Sequence, residues 1–416
     1  MTIKTTLLTA SALGATLTGA AVAQEITVWD WKSGDPAAYG YIDEATRLFE
    51  EAHPGVEVNF VMQPNDQYYT LLGTALSSNA GPDVFLLNGG AQAQARFDAL
   101  ADVSDMAEGL LGTEEFSDAD GTVYALPITT QGFVVYANKQ RYADAGLDPE
   151  ALPTTWDELS AACEAIIAQG DVPCFSMGNK EGFAAEFFVS ALAASMLTAE
   201  EHAALKSGEL AWSSPKMTAI LDAWVETEAA GWYPQGGNST AKFMDEYETF
   251  MRGEAANTIG LLSDVAHWKQ FDDFLGAENL GVFRHPAPDA SATAGDGGPM
   301  MPVAGGIGYG VNRASENIDL ARELVATLAS AEAIAIFAQD AGILPANPEV
   351  DTSAANSPTL TAILGMMDGA SAPMAHANVS AGELEDLHRQ SQLLLNGENT
   401  VQDAVQRLDA AQAAAE

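Results

Sequence analysis

Three short apolar strands separated by two amphipathic helices open the chain, and that spacing leaves few folds to choose from. Ile26, Thr27, Val28 and Trp29 read as a strand that runs into a polar turn at Asp30, Trp31, Lys32, Ser33 and Gly34. Ile42, Ala45, Phe49 and Ala52 then fall on one helical face, which His53-Pro54-Gly55 ends. Val56, Val58, Phe60 and Met62 alternate with Glu57, Asn59 and Val61 as a second strand. A helix over 68–76 leads through Gly81-Pro82 into a third, continuously apolar strand over 83–87. Strand and helix alternating at this interval predict a parallel α/β sheet with right-handed crossovers.

The segment before the first strand is of another kind. Lys4 supplies a positive start, residues 7–17 a short apolar run, and Ala21-Val22-Ala23 a small-residue cleavage site. This reads as a secretory signal peptide covering residues 1–23, since the run is too short to span a bilayer. Gln24 rather than Cys follows the cut, so no lipid anchor is expected, and the mature chain should fold as a soluble periplasmic protein. About 390 residues then remain, enough for two ordinary domains.

Composition excludes some partners. Lys and Arg number 17 against 58 Asp and Glu, a formal net charge of −41. A surface so acidic repels nucleic acid and anionic lipid, so neither is expected to bind. It reads as solvated acidic surface suited to salty surroundings, with a cation-binding cleft as the sharper alternative. The two cysteines, Cys163 and Cys174, are predicted to form a structural disulfide in an oxidising compartment. A metal pair is the weaker reading, because there is no other Cys and no neighbouring His.

Further along, Asp118, Asp120 and Gly121 mark a turn rather than a calcium loop, whose other ligand positions are missing. Strands are expected over 123–127 and 133–136, and Thr155 with Glu158 has the spacing of a helix-capping box. Residues 183–199 read as a buried helix, 286–306 as loop or crossover, and 321–338 and 400–414 as helical.

Catalytic signatures are missing. The chain has no H-E-x-x-H, no G-x-x-x-x-G-K-[ST] and no G-x-S-x-G. The glycine-rich stretch Gly305-Gly306-Ile307-Gly308-Tyr309-Gly310 lacks the dinucleotide-binding spacing and predicts a close-packed backbone. No His pair has metal-ligand spacing, so no cofactor and no metal are expected. Aromatic and amide side chains instead follow the strands: Trp31 after the first, Asn88 and Gly89 after the third, Gln131 after Leu126-Pro127. Open α/β sheets bind ligands outside the carboxyl ends of their strands. An aromatic face can cover the C–H face of a sugar ring while amides and carboxylates satisfy its hydroxyls. The pattern is that of a binder rather than a catalyst.

Taken in order, several segments resemble the extracellular solute-binding proteins of carbohydrate ABC importers, the family of maltose-binding protein. They are the opening strand with Trp29, the run from Phe49-Glu50-Glu51-Ala52-His53-Pro54-Gly55 into Val56-Glu57-Val58, and Gly81-Pro82-Asp83-Val84. Asp120-Gly121-Thr122-Val123-Tyr124-Ala125-Leu126-Pro127 and Tyr136-Ala137-Asn138-Lys139 follow, with Ala145-Gly146-Leu147. Pro153-Thr154-Thr155-Trp156-Asp157-Glu158-Leu159 and Phe250-Met251-Arg252-Gly253-Glu254-Ala255-Ala256 complete the set.

The resemblance implies two α/β lobes, each a mainly parallel sheet flanked by helices, joined by hinge strands around a ligand cleft. Residues 24–130 and 306–352 would form the N-terminal lobe, and 131–303 with 355–416 the C-terminal lobe. The chain would cross near 129–132, 303–306 and 351–354. Carried over by similarity, the ligand contacts would be Asp30, Trp31 and Ser33, then Asn88 and Gly89, Gln131, and Asn179 with Lys180. Where relatives carry a stacking Trp, this chain has Leu262-Ser263-Asp264 with Trp268 beyond, so either Asp264 contacts ligand or Trp268 replaces the platform. Gly305, Gly306 and Glu383 are further candidates.

The expected function is capture of a mono- or oligosaccharide by a monomer that closes on it and is read by importer permeases. The same fold binding a polyamine or another solute is one rival, and a secreted glycosidase is the other.

Overall fold

A computed structural model describes residues 24–64, 67–263, 267–353, 357–367 and 369–415. The expected signal peptide and Asp264 therefore lie outside the described residues, as does Ala354 in the third expected crossing.

The opening alternation folds as the spacing predicts. β1 (Gln24–Asp30), α1 (Tyr39–Ala52), β2 (Val56–Met62), α2 (Tyr68–Ser77) and β3 (Val84–Asn88) follow one another. β1 lies between β2 and β3, parallel to both, with Val28 opposite Phe60 and Val84. After the short helix α3 (Ala91–Gln94) and a 3-10 turn at Thr113–Phe116, β4 (Ala125–Pro127) forms the sheet's far edge. The neighbour of β3 arrives from far away in sequence: β9 (Ile307–Val311) inserts antiparallel between β3 and β4. Close packing explains the glycines of β9, because a Cβ on Gly308 would meet Leu126 O at 2.7 Å.

A second sheet is built on β5 (Thr129–Asn138). Then come α4 (Lys139–Asp144), α5 (Trp156–Gln169), α6 (Phe183–Met196), α7 (Ala199–Lys206), α8 (Pro215–Ala229) and α9 (Phe243–Met251). β6 (Asn257–Leu262), α10 (His267–Leu275), β7 (Leu280–Phe283) and β8 (Met301–Gly305) follow. β5 pairs antiparallel with β6, β7 and β8, and also with the two-residue β10 (Leu344–Pro345). β11 (Ser371–Pro373) lies parallel to β8. Parallel pairing thus describes the opening three strands but not this sheet, because its strands return to β5 from both sides instead of advancing through successive crossovers. β8 also replaces part of the loop expected over 286–306.

The helical stretch expected over 321–338 is two helices, α11 (Ile318–Leu328) and α12 (Ala331–Ala341). Ser330 breaks it, its hydroxyl accepting from Ala333 N as a new N-cap. α13 (Pro358–Met367), α14 (Ala381–Leu395) and α15 (Val401–Ala415) finish the chain.

Each sheet has its own core. Phe85, Leu86 and Tyr309 join Phe49 of α1 and Leu324 of α11 around the first sheet. Phe133 and Val135 of β5 face α6 on one side of the second, where Phe187, Phe188 and Leu192 are buried. Val134 and Tyr136 face Phe250, Phe271 and Leu360 on the other. That alternation along β5 is the period of two that a strand buried on both faces requires. Cys163 of α5 and Cys174 are joined by a disulfide inside the α6 core. Among the described residues no helix is long and apolar enough to cross a membrane.

Candidate functional site

At the carboxyl ends of β1 and β3 the chain gathers aromatic rings around a guanidinium. Trp31, half-buried, meets Tyr68 edge to face with centroids 4.7 Å apart and Tyr69 at 6.2 Å. Tyr68 is fixed by its hydroxyl, 2.9 Å from Trp29 O and 2.8 Å from Leu86 O, so the single hydrogen ties α2 to β1 and β3 together. Tyr69 Oη accepts from Asn88 N at 2.9 Å and Asn88 Nδ2 at 3.0 Å. The guanidinium of Arg96 lies 4.2 Å from the Tyr69 ring centre, within range for a cation–π contact. Its Nη1 donates to Gln92 O and Oε1, while Nε is buried without a hydrogen-bond partner among the described residues.

The other residues of the first-strand loop hold the fold. Asp30 is fully buried, with Oδ1 accepting from Ser33 N and Ser33 Oγ and Oδ2 accepting from Tyr309 Oη at 2.8 Å. Burial raises its carboxyl pKa, and the Ser33 and Tyr309 hydrogen bonds work against that. Asp30 and Ser33 thus bind each other and β9, leaving Trp31 as the ring of this loop that reaches the surface. Gly89 N donates to Gly306 O, and a Cβ at Gly89 would meet Gly305 O at 2.8 Å. Gly89, Gly305 and Gly306 accordingly let backbones touch where the two sheets adjoin.

Gln131 is half-buried on β5, opposite Ala304 of β8 and on the same strand face as Phe133. From Phe133 a polar string crosses the second half of the molecule. Its ring lies 5.6 Å from that of His376. His376 Nδ1 is 2.8 Å from Ser190 Oγ, and its Nε2 is 3.7 Å from Glu186 Oε2. His388 Nε2 contacts the other oxygen of Glu186. Phe183, which is partly exposed, packs 5.7 Å from His388 and 6.0 Å from Phe243. Burial lowers the His376 pKa against the pull of Glu186. Ser, His and Glu here have the makings of a hydrolytic triad, but Ser190 is fully buried in α6 and its Oγ accepts the His376 backbone N–H at 3.1 Å. It fixes the histidine and offers no nucleophile to a substrate.

Three expected contacts are interior instead. Asn179 is fully buried, its amide donating to Asn238 Oδ1 and Ser391 Oγ. Glu383 is the N3 residue of the α14 capping box, accepting from Ser380 N and from Trp212 Nε1. Trp268 is buried against Phe271 and donates to Gly342 O at 2.9 Å. In each case an unpaired polar group in the core would cost more than a surface contact returns, so packing claims the side chain. Lys180 is exposed beside this region, with its backbone N held by Ala241 O.

Sequence reasoning missed Tyr69, Arg96, Glu186, His376 and His388. Adjacent aromatics opening α2 were the one available signal. Nothing local marks Glu186 and His388, which meet across 202 residues. Among the described residues no group of three His, Cys, Asp or Glu is placed to hold a metal ion. The rings, amides and guanidinium offer stacking faces beside planar hydrogen-bonding groups, which suits a polar ring-shaped solute.

Residues 30–335, most of the chain, match the bacterial extracellular solute-binding protein family. Over 337 residues the chain is 27% identical to the diacetylchitobiose binding protein DasA of Streptomyces coelicolor, covering 77% of this chain and 73% of that one. It is 26% identical to a probable amino-acid ABC transporter periplasmic-binding protein, y4oP, of Sinorhizobium fredii, covering 72% and 68%. Among solved structures a chitin oligosaccharide binding protein superposes with a TM-score of 0.78 at 21% identity, covering 94% of this chain and 98% of that one. Maltose-bound T. maritima MalE3 superposes with a TM-score of 0.70, also at 21% identity, covering 95% and 100%. The chain belongs to the bacterial extracellular solute-binding proteins, and its fold is that of the two-lobed binding proteins.

Proposed function

We propose that this member of the extracellular solute-binding proteins captures a mono- or oligosaccharide between two lobes and hands it to the permeases of an ABC importer, without chemistry on the sugar. The lobes are read as residues 24–130 with 306–352 and residues 131–303 with 355–416, the first built on the β1 sheet and the second on the β5 sheet, which β10 joins from the first. Trp31, Tyr69, Asn88 and Arg96 form one wall in this reading, and Gln131, Lys180 and the Phe183–His388 string the other. The observation that carries it is the half-buried Trp31 beside the Tyr69–Arg96 pair at the strand ends, a stacking face flanked by hydrogen-bonding groups. The names of DasA, of the chitin oligosaccharide binding protein and of maltose-bound MalE3 support a saccharide.

A carboxylate-bearing solute such as an amino acid is the second reading. The Arg96 guanidinium at the strand ends favours it, as a guanidinium readily takes a carboxylate, and y4oP bears such a name. The formal charge of −41 weighs against the acidic amino acids by repelling anions at long range. Titration calorimetry against saccharides, amino acids and polyamines decides between them. Saturable 1:1 binding of a saccharide is expected, with no product released from chromogenic glycosides. Binding of amino acids alone would replace this reading with the second.

A further inference from the structure

Glu115 carries a buried carboxyl group beneath the loop that follows β3. It is 2% exposed, and its Oε2 is sealed from solvent without a hydrogen-bond partner among the described residues. Its place is where the first half of the molecule meets the second. The Glu115 backbone O accepts from Gly90 N at 2.8 Å, so the 3-10 turn Thr113–Phe116 is tied beneath the loop after β3. A Cβ built on Gly90 would lie 3.3 Å from Glu115 Oε2 and 3.1 Å from Ala377 O. Ala377 belongs to the segment beside α6, on the far side of the hinge strands. A second tie crosses next door, where Lys206 Nζ at the end of α7 donates to Glu114 O at 3.2 Å. On the third side, a Cβ on Gly112 would strike Gly305 of β8 at 2.4 Å, so this turn rests directly on a hinge strand.

We propose that Glu115 links lobe closure to a proton: shutting the halves together at Gly90 and Ala377 seals Oε2 of this carboxyl without a hydrogen bond, so closure favours its protonated form. The proposal rests on the reading that the two halves open and close. Ionising a carboxyl group that has one oxygen sealed from water without a hydrogen bond is costly, and the alternative is to take up a proton. Burial pushes the carboxyl up to about 7, with Glu114 adding to the rise and Lys206 opposing it. Of the other elements packed here, α3 and β8 carry no ionisable side chain, and Arg96 beyond α3 is stacked on Tyr69. His376 beside Ala377 is engaged by Ser190 and Glu186.

The sign follows from the raised value. Once the halves part, the carboxyl meets water and returns to its ordinary 4.5. Below that pH both forms are protonated and closure keeps its full strength. Between about 4.5 and 7 the closed form alone holds the proton, so closure weakens as pH rises, by at most about tenfold per pH unit. Above 7 the loss levels off.

Dyes on Glu57→Cys and Glu226→Cys, two exposed positions on opposite halves, report the distance between lobes by single-molecule energy transfer, with the native disulfide intact. In the sugar-free protein the closed-to-open ratio should fall at least threefold from pH 5 to pH 7.5, and Glu115→Gln should make it constant. Saccharide affinity should follow the same two courses. A ratio that is constant in the unsubstituted protein, or that falls equally in Glu115→Gln, overturns the proposal. Failure of every saccharide to bind would count against the proposed function alone, because the sugar-free distances still decide the proton linkage.

Discussion

Trp31 and Tyr68 meet edge to face, ring centroids 4.7 Å apart, where β1 ends and α2 begins. The contact makes Trp31 both a surface ring and part of the first sheet's packing. Trp31→Ala should therefore weaken saccharide binding by about 1–3 kcal/mol, the range of aromatic hot-spot truncations. It should also lower the melting temperature by several degrees, as the Tyr68 and Tyr69 rings lose a neighbour. Titration calorimetry beside thermal melts separates the two effects, and unchanged affinity would remove Trp31 from the site.

Gln131→Ala should act on affinity alone, by about 1–2 kcal/mol, because it deletes one or two neutral hydrogen bonds from a half-buried strand position. A loss of stability without loss of affinity would make Gln131 a hinge residue instead.

Gly306→Ala addresses the junction between β8 and β9. An added Cβ would lie 2.4 Å from Thr129 Oγ1, which accepts from Ile307 N at 3.1 Å. Overpacking of this kind costs about 1–3 kcal/mol, so denaturant midpoints should fall accordingly. A wild-type midpoint would mean that the backbones of β5 and β8 can part without cost.

Stability should depend on pH through Glu246. This carboxyl is buried beneath the second sheet, accepting from Thr258 Oγ1 and Gly178 N, and burial pushes it up to about 8. A raised acid pKa favours the protonated folded form, so its contribution is full below about 4.5 and is lost as pH rises toward 8. Denaturation in urea between pH 5 and 9 should show that decline, and Glu246→Gln should flatten it. An equal slope in the variant would assign the dependence to other groups.

The Cys163–Cys174 bond closes a short loop at a sequence separation of 11 within the α6 core. Replacing both cysteines by serine should cost roughly 3 kcal/mol on the chain-entropy account while leaving saccharide binding intact. Loss of binding in the folded variant would show that the loop shapes the site.

What the sequence made legible was local. β1, α1, β2, α2 and β3 follow from apolar periodicity and from breakers such as His53-Pro54-Gly55, and α5 from the Thr155–Glu158 capping box. Cys163 and Cys174 could be paired because they had no other choice. The second sheet escaped because β5 takes partners from both ends of a long stretch of chain, and pairing direction leaves no mark on a strand's composition. Trp31 and Asn88 were legible as side chains at strand ends, whereas Gln131, expected in the link after Leu126-Pro127, lies within β5. Asn179, Trp268 and Glu383 were not separable from them, because what distinguishes these three is a partner more than fifty residues away: Asn238, Gly342 and Trp212.

Small-angle scattering during titration with the best-bound saccharide tests the central claim most directly. If the chain closes two lobes on a sugar, the radius of gyration should shrink in step with calorimetric occupancy and saturate at one sugar per chain. A profile unchanged at full occupancy would contradict closure, and an absence of any saccharide binding would contradict the function.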